Sequence, residues 1–102
     1  MNIMGVAPKF LVIPFDFIDR HALCSLSTYH HSYISNILDT ALLMLGWTHY
    51  NQYPLVAIEP RDPGIILAQN IANHIRGTFF NQYRIRLIGT DYIVEMWYEK
   101  TN

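Results

Sequence analysis

Charged side chains are scarce in this chain. They make up 15% of 102 residues, against a usual share of about a quarter. Seven Lys/Arg and eight Asp/Glu leave a net charge of −1. Such a balance gives no long-range field to steer the protein to nucleic acid or an anionic membrane. It is not acidic enough to imitate DNA either. Cysteine occurs once, at Cys24, so no internal disulfide can form. None is needed, nor a metal, because a chain of this length buries roughly two-thirds of its unfolded surface on folding.

The five glycines are scattered singly, so no phosphate-cradling loop or nucleotide fingerprint exists. There is no G-x-S-x-G, no C-x-x-C, no H-x-x-x-H and, within the expected helices, no pair of carboxylates at a helical step. Internal repeats and low-complexity tracts are missing, and no apolar run is long enough for a bilayer. The first fifteen residues lack a signal-peptide layout: Lys9 comes late and Pro14 cuts the apolar stretch. A cytoplasmic protein is the expectation.

Apolar side chains, by contrast, are plentiful at 51%, which excludes disorder. Low charge with surplus apolar surface favours contact with a partner or a second copy. The densest stretch is Ser32 to Trp47, ten of whose sixteen residues are apolar. Ile34, Ile37, Leu38, Ala41 and Leu45 recur at helical steps and mark a buried face. Gly46 is the expected stop. Ser35 and Asp39 mark the expected solvent side, yet Leu42 and Leu43 fall near the same sector. They require a second cover, from the Asp19–His31 segment or from another chain, and are the candidates for self-association.

The remaining elements follow in order. Lys9 to Ile13 reads as a buried-type strand, with Pro14 placing its end at a sheet edge or a bulge. Asp19 to His31 is the longest irregular stretch. Tyr53 to Glu59 reads as a second buried strand. Asp62 and Pro63 form a helix start. The helix runs to about Arg76, with Leu67, Ala68, Ile71, Ala72 and Ile75 facing inward and Gln69, Asn70, Asn73 and His74 outward.

Phe80 to Glu99 reads as a hairpin about a Gly89-Thr90 type II′ loop. That loop pairs Ile88 with Asp91, Leu87 with Tyr92, Ile85 with Val94 and Tyr83 with Met96. The same register sets Arg84 opposite Glu95, so a one-residue slip would spoil both faces. The fold class is α+β in the order β-α-β-α-β-β: one compact domain, a four-stranded sheet with two helices on one face. The open face would hold Arg84, Arg86, Ile93, Glu95 and Trp97.

Three functional readings compete. A metal or small-enzyme site would use Cys24, His30 and His31, with His21 and His49 in reach. Zinc wants four ligands at paired spacings, and a thiol nucleophile wants an orienting third group; the chain shows neither pattern. A nucleic-acid module would stack bases on the open face, but Tyr83 points inward and Glu95 neutralises an arginine. The third reading is a non-enzymatic protein-binding module without cofactor: an inhibitor, immunity or adaptor protein, of the kind carried by phages and other mobile elements. Tyr, Trp, Arg and Met are enriched in interface cores. The expected contact residues are Arg84, Arg86, Ile93 and Trp97 on the sheet, with Tyr29, His30, Tyr50 and Tyr53 near the ends of the first helix.

Overall fold

The computed structural model of the chain describes residues 7–14, 31–50 and 55–99. The elements are β1 (Lys9–Pro14), α1 (His31–Met44), β2 (Thr48–His49), α2 (Gly64–Ile75), β3 (Gln82–Ile88) and β4 (Asp91–Trp97). This is the expected α+β order, with a C-terminal hairpin. The strands lie side by side as β1-β4-β3-β2. β4 is antiparallel to both neighbours, while β2 and β3 are parallel. β1 and β2 therefore run the same way at opposite edges of the sheet.

The hairpin register is the expected one at every pair, including Arg84 opposite Glu95. Gly89 takes φ 64°, and no non-glycine residue described has positive φ. Positive φ at the first loop position alone is the type II′ turn, whose twist matches the strands. Tyr83, Tyr92, Val94 and Met96 then point to the inner face and are buried.

α1 packs on the inner face against β2 and β3, and α2 packs on α1. Ile34, Ile37, Leu38 and Ala41 enter the same core as Leu67, Ala68 and Ile71. α1 stops in a Schellman turn. The Gly46 N–H donates to the Leu43 carbonyl at 3.0 Å and the Trp47 N–H to the Leu42 carbonyl at 3.1 Å, with Gly46 at φ 82°. Those bonds satisfy carbonyls that the helix end would leave orphaned. They also drop Trp47 straight into the core.

Two expectations about α1 need correction. Asp39 and Thr40 do not face solvent; both are buried. Leu42 is buried as well, so the chain itself supplies its second cover. Of the pair proposed for self-association, only Leu43 remains at the surface, next to Met44. The physical reason is that α1 is wrapped on several sides: by the sheet, by α2, and by the strand-like passage at Ile58. There the Ile58 N–H donates to Thr40 Oγ1 at 2.8 Å, and Thr40 Oγ1 donates to the Asn36 carbonyl at 2.8 Å.

The second strand also moves. It is Thr48–His49, while the described part of the expected Tyr53–Glu59 strand, residues 55–59, is not one. Residues 55–59 are irregular, with Val56 73% exposed. The turn after α1 delivers the chain directly to the sheet edge. The Thr48 N–H reaches the Asn81 carbonyl at 2.6 Å, and the Tyr50 N–H reaches the Tyr83 carbonyl at 2.7 Å.

α2 begins as expected. Asp62 Oδ1 accepts the Gly64 N–H at 2.7 Å, and the Asp62 carbonyl accepts the Ile65 N–H at 3.0 Å. Pro63 between them is already helical at φ −58° and ψ −26°. The Tyr33 hydroxyl donates to the same carboxylate oxygen, tying the start of α2 to α1. The inner face of α2 holds the five residues expected, and Gly64 at its start is buried as well.

Candidate functional site

The outer face of the sheet, away from the helices, gathers the groups with most capacity for contact. Strand parity puts Gln82, Arg84, Arg86 and Ile88 of β3 there, with Ile93, Glu95 and Trp97 of β4 opposite them. The β1 register adds Phe10 opposite Glu95 and Val12 opposite Ile93. Phe10 is 60% exposed and Val12 51%. Ile88 is exposed at the hairpin end, and Tyr50 at the other end.

An ion-pair bridge occupies the middle. Glu95 Oε2 lies 2.5 Å from Arg84 Nη2, and Glu95 Oε1 lies 3.0 Å from Arg86 Nη1. The Glu95 side chain retains 4% exposure, whereas Arg84 and Arg86 retain 33% and 54%. One shielded carboxylate thus holds two guanidinium groups at the surface. Charge-assisted bonds of this kind fix orientation as well as adding energy.

Beside the bridge is an aromatic stack. Tyr50 lies on Trp97 with centroids 4.7 Å apart and planes at 28°. The Arg84 guanidinium sits 5.7 Å from the Trp97 ring centre and 5.9 Å from that of Tyr50, within cation–π range. This arrangement corrects one expectation. Trp97 is on the outer face but is only 6% exposed, because Tyr50 and Arg84 cover it. Tyr50 offers the open ring instead.

A second set of polar groups lies inside. Both Asp39 carboxylate oxygens and the Tyr83 hydroxyl are buried without a hydrogen-bond partner among the described residues. His49 stands between sheet and helix, its ring edge-on to Tyr83 at 5.0 Å. Burial pushes the Asp39 carboxyl above its ordinary value, and the charge of His49 opposes this more weakly. At the start of α1, His31 Nδ1 and the Tyr92 hydroxyl form a hydrogen bond of 2.6 Å. Burial also raises the Tyr92 phenol.

The expected contact residues therefore divide. Arg84, Arg86 and Ile93 share the outer face, joined by Tyr50 from the far side of β2. Tyr29, His30 and Tyr53 lie outside the described residues, as do Cys24 and His21. Phe10 and Val12 were missed. The unbroken Phe10-Leu11-Val12-Ile13 run reads as a strand buried on both faces, but its even-numbered residues lie on the outer sheet face and stay exposed. Among the described residues, no three His, Cys, Asp or Glu side chains come together as a metal site. No described helix is long and apolar enough to cross a membrane. Comparison with known proteins yields no matching family model, no related curated protein and no solved structure of significant similarity.

Proposed function

We infer that this chain works by binding another protein through its outer sheet face. One observation carries the reading: Phe10 and Val12 stand exposed on the same face as two arginines held in place by Glu95, with β4 between them. Exposed apolar side chains next to ordered polar groups are the usual makings of a recognition patch. Guanidinium groups fixed before contact lose less freedom on binding. The face is also strand-built, which suits a broad protein surface better than a small molecule.

Arg86 keeps about half its surface open. It would serve a carboxylate on the partner, while Phe10, Val12 and Ile93 would meet apolar side chains. An inhibitor, immunity or adaptor role in the cytoplasm fits a module of this size that offers a surface and little else.

The test is capture from the native host or its target cell, with identification of the bound protein. Phe10→Asp and Arg86→Glu should each abolish capture of that protein while the circular dichroism spectrum is unchanged. Gln69→Glu, on the outer side of α2, should leave it intact. Equal capture by all three variants would refute the assignment of the face.

A further inference from the structure

The outer edge of β1 carries a backbone pattern that matches its own. Its backbone phase follows from bonds on the opposite side of the sheet. The Tyr83 carbonyl accepts from Tyr50, just past β2, so odd-numbered β3 residues face β2 and even-numbered ones face β4. Directly opposite residues in an antiparallel pair share the same hydrogen-bonding state. Carried across both registers, this makes Tyr92, Val94 and Met96 face β1, where they meet Ile13, Leu11 and Lys9. The even-numbered residues of β1 are left pointing outward: Phe10 and Val12, bracketed by Pro8 and Pro14.

Among the described residues nothing pairs with that edge. Its two N–H groups belong to Phe10 and Val12, and the prolines beyond them have none to offer. The pattern is symmetric about Leu11. We propose that two copies of this chain join antiparallel along β1 about a two-fold axis at Leu11, making one continuous eight-stranded sheet.

In this register Phe10 meets Val12 of the second copy and Val12 meets its Phe10, giving four hydrogen bonds. Every outward N–H and C=O of both residues is then satisfied. Pro8 falls opposite Pro14, so the two donorless positions coincide. Shifting the pairing by two residues in either direction keeps four hydrogen bonds but sets Phe10 opposite Phe10 or Val12 opposite Val12, so the two unlike pairs are lost. On the outer side, Phe10 and Val12 form aromatic–β-branched cross-strand pairs, a stabilising combination. A net charge of −1 puts little repulsion between copies.

A standard stable interface takes about 800 Å² from each partner, roughly an eighth of the 6484 Å² surface. A six-residue edge with two side chains supplies less, so the dimer is of the weak, concentration-dependent kind. It goes beyond the partner-binding face and fails separately from it, since either could be absent while the other stands.

The test is sedimentation velocity across a wide concentration range on the wild type and two Val12 variants, with disulfide cross-linking of two cysteine variants. The 11.9 kDa chain should pass to twice that mass as concentration rises. Val12→Pro deletes an outward donor and no bond to β4, so it should stay monomeric with an unchanged circular dichroism spectrum. Val12→Lys keeps the donor but sets a charge against Phe10 of the second copy, and it should also stay monomeric. Leu11→Cys, in a Cys24→Ser background, should form a disulfide-linked dimer on mild oxidation. The two Leu11 positions would form a close non-hydrogen-bonded pair, within disulfide reach. Leu87→Cys in the same background should not cross-link. A wild-type chain that remains monomeric at the highest concentration would overturn the proposal. So would a dimer that survives both Val12 variants, or Leu11→Cys cross-linking no better than Leu87→Cys.

Discussion

Glu95 and Arg84 lie directly across the β3–β4 hairpin from one another, their side chains 2.5 Å apart, yet only the arginine reaches solvent. The carboxylate is shielded, so its partners matter more to it than it does to them. Removing one arginine leaves Glu95 with the other. Removing Glu95 leaves two cations side by side, a third and a half exposed. Glu95→Ala should therefore cost about 1–2 kcal/mol, the value of charge-assisted bonds discounted for hydration of the freed arginines. Arg86→Ala should cost no more than about 0.5 kcal/mol, as exposed pairs do. Urea midpoints of the two variants would separate these outcomes; equal losses would mean the bridge is not centred on Glu95.

Asp39 gives a pH dependence of unusual sign for a carboxylate. Most native carboxylates are held below their ordinary range and stabilise the fold as pH rises. Asp39 is raised by burial, with His49 opposing in part, and neither oxygen has a partner among the described residues. The folded state therefore binds its proton more tightly than the unfolded state. Stability from this group is greatest below 3.8 and falls as pH climbs from there to the raised value, by at most about 1.4 kcal/mol per unit. Asp39→Asn should flatten that slope. The variant should be more stable than the parent at pH 8 and differ from it least at pH 4. Chemical denaturation at the two pH values checks it, and a parent that gains stability relative to the variant on going from pH 4 to pH 8 would contradict it.

The same two residues show what a sequence can and cannot reveal. The Arg84–Glu95 pairing was legible because two constraints agree: one turn residue sets the register, and both faces of the hairpin obey it. Asp39 was not legible, because the helical period places it opposite the core and cannot show that Ile58 and α2 wrap α1. Thr48–His49 has only two residues, too few for any period to register. Trp97 was placed on the correct face, but its cover comes from Tyr50, distant in sequence. Phe10 and Val12 were hidden for a different reason. Pro14 pointed to a sheet edge or a bulge, and the strand order β1-β4-β3-β2 makes β1 an edge, but a four-residue apolar run does not show which of its faces is left uncovered.

Thr40 is the residue that joins the irregular passage to α1. Its hydroxyl donates to the Asn36 carbonyl and accepts the Ile58 N–H, each at 2.8 Å. Thr40→Val keeps the shape and loses both bonds, leaving the Ile58 N–H without an acceptor in a half-buried place. The cost should be about 1–3 kcal/mol. Amide exchange at Ile58 should quicken by more than the global loss of stability accounts for, because the passage is released locally. Exchange that merely follows the global change would show that the passage is held elsewhere.

Gly46 tests the helix stop free of any packing effect. It sits at φ 82°, and a Cβ placed there would meet nothing within 4 Å. Any penalty for Gly46→Ala is then backbone conformation alone, about 1–2 kcal/mol for an alanine in the left-handed region. Gly46→Asn should recover part of it, since asparagine tolerates that region better. The consequence reaches beyond α1, because the same turn seats Trp47 in the core and starts β2. Alanine should lower the thermal midpoint by several degrees and asparagine by less. An alanine variant as stable as the parent would mean that the turn can re-form without the left-handed residue.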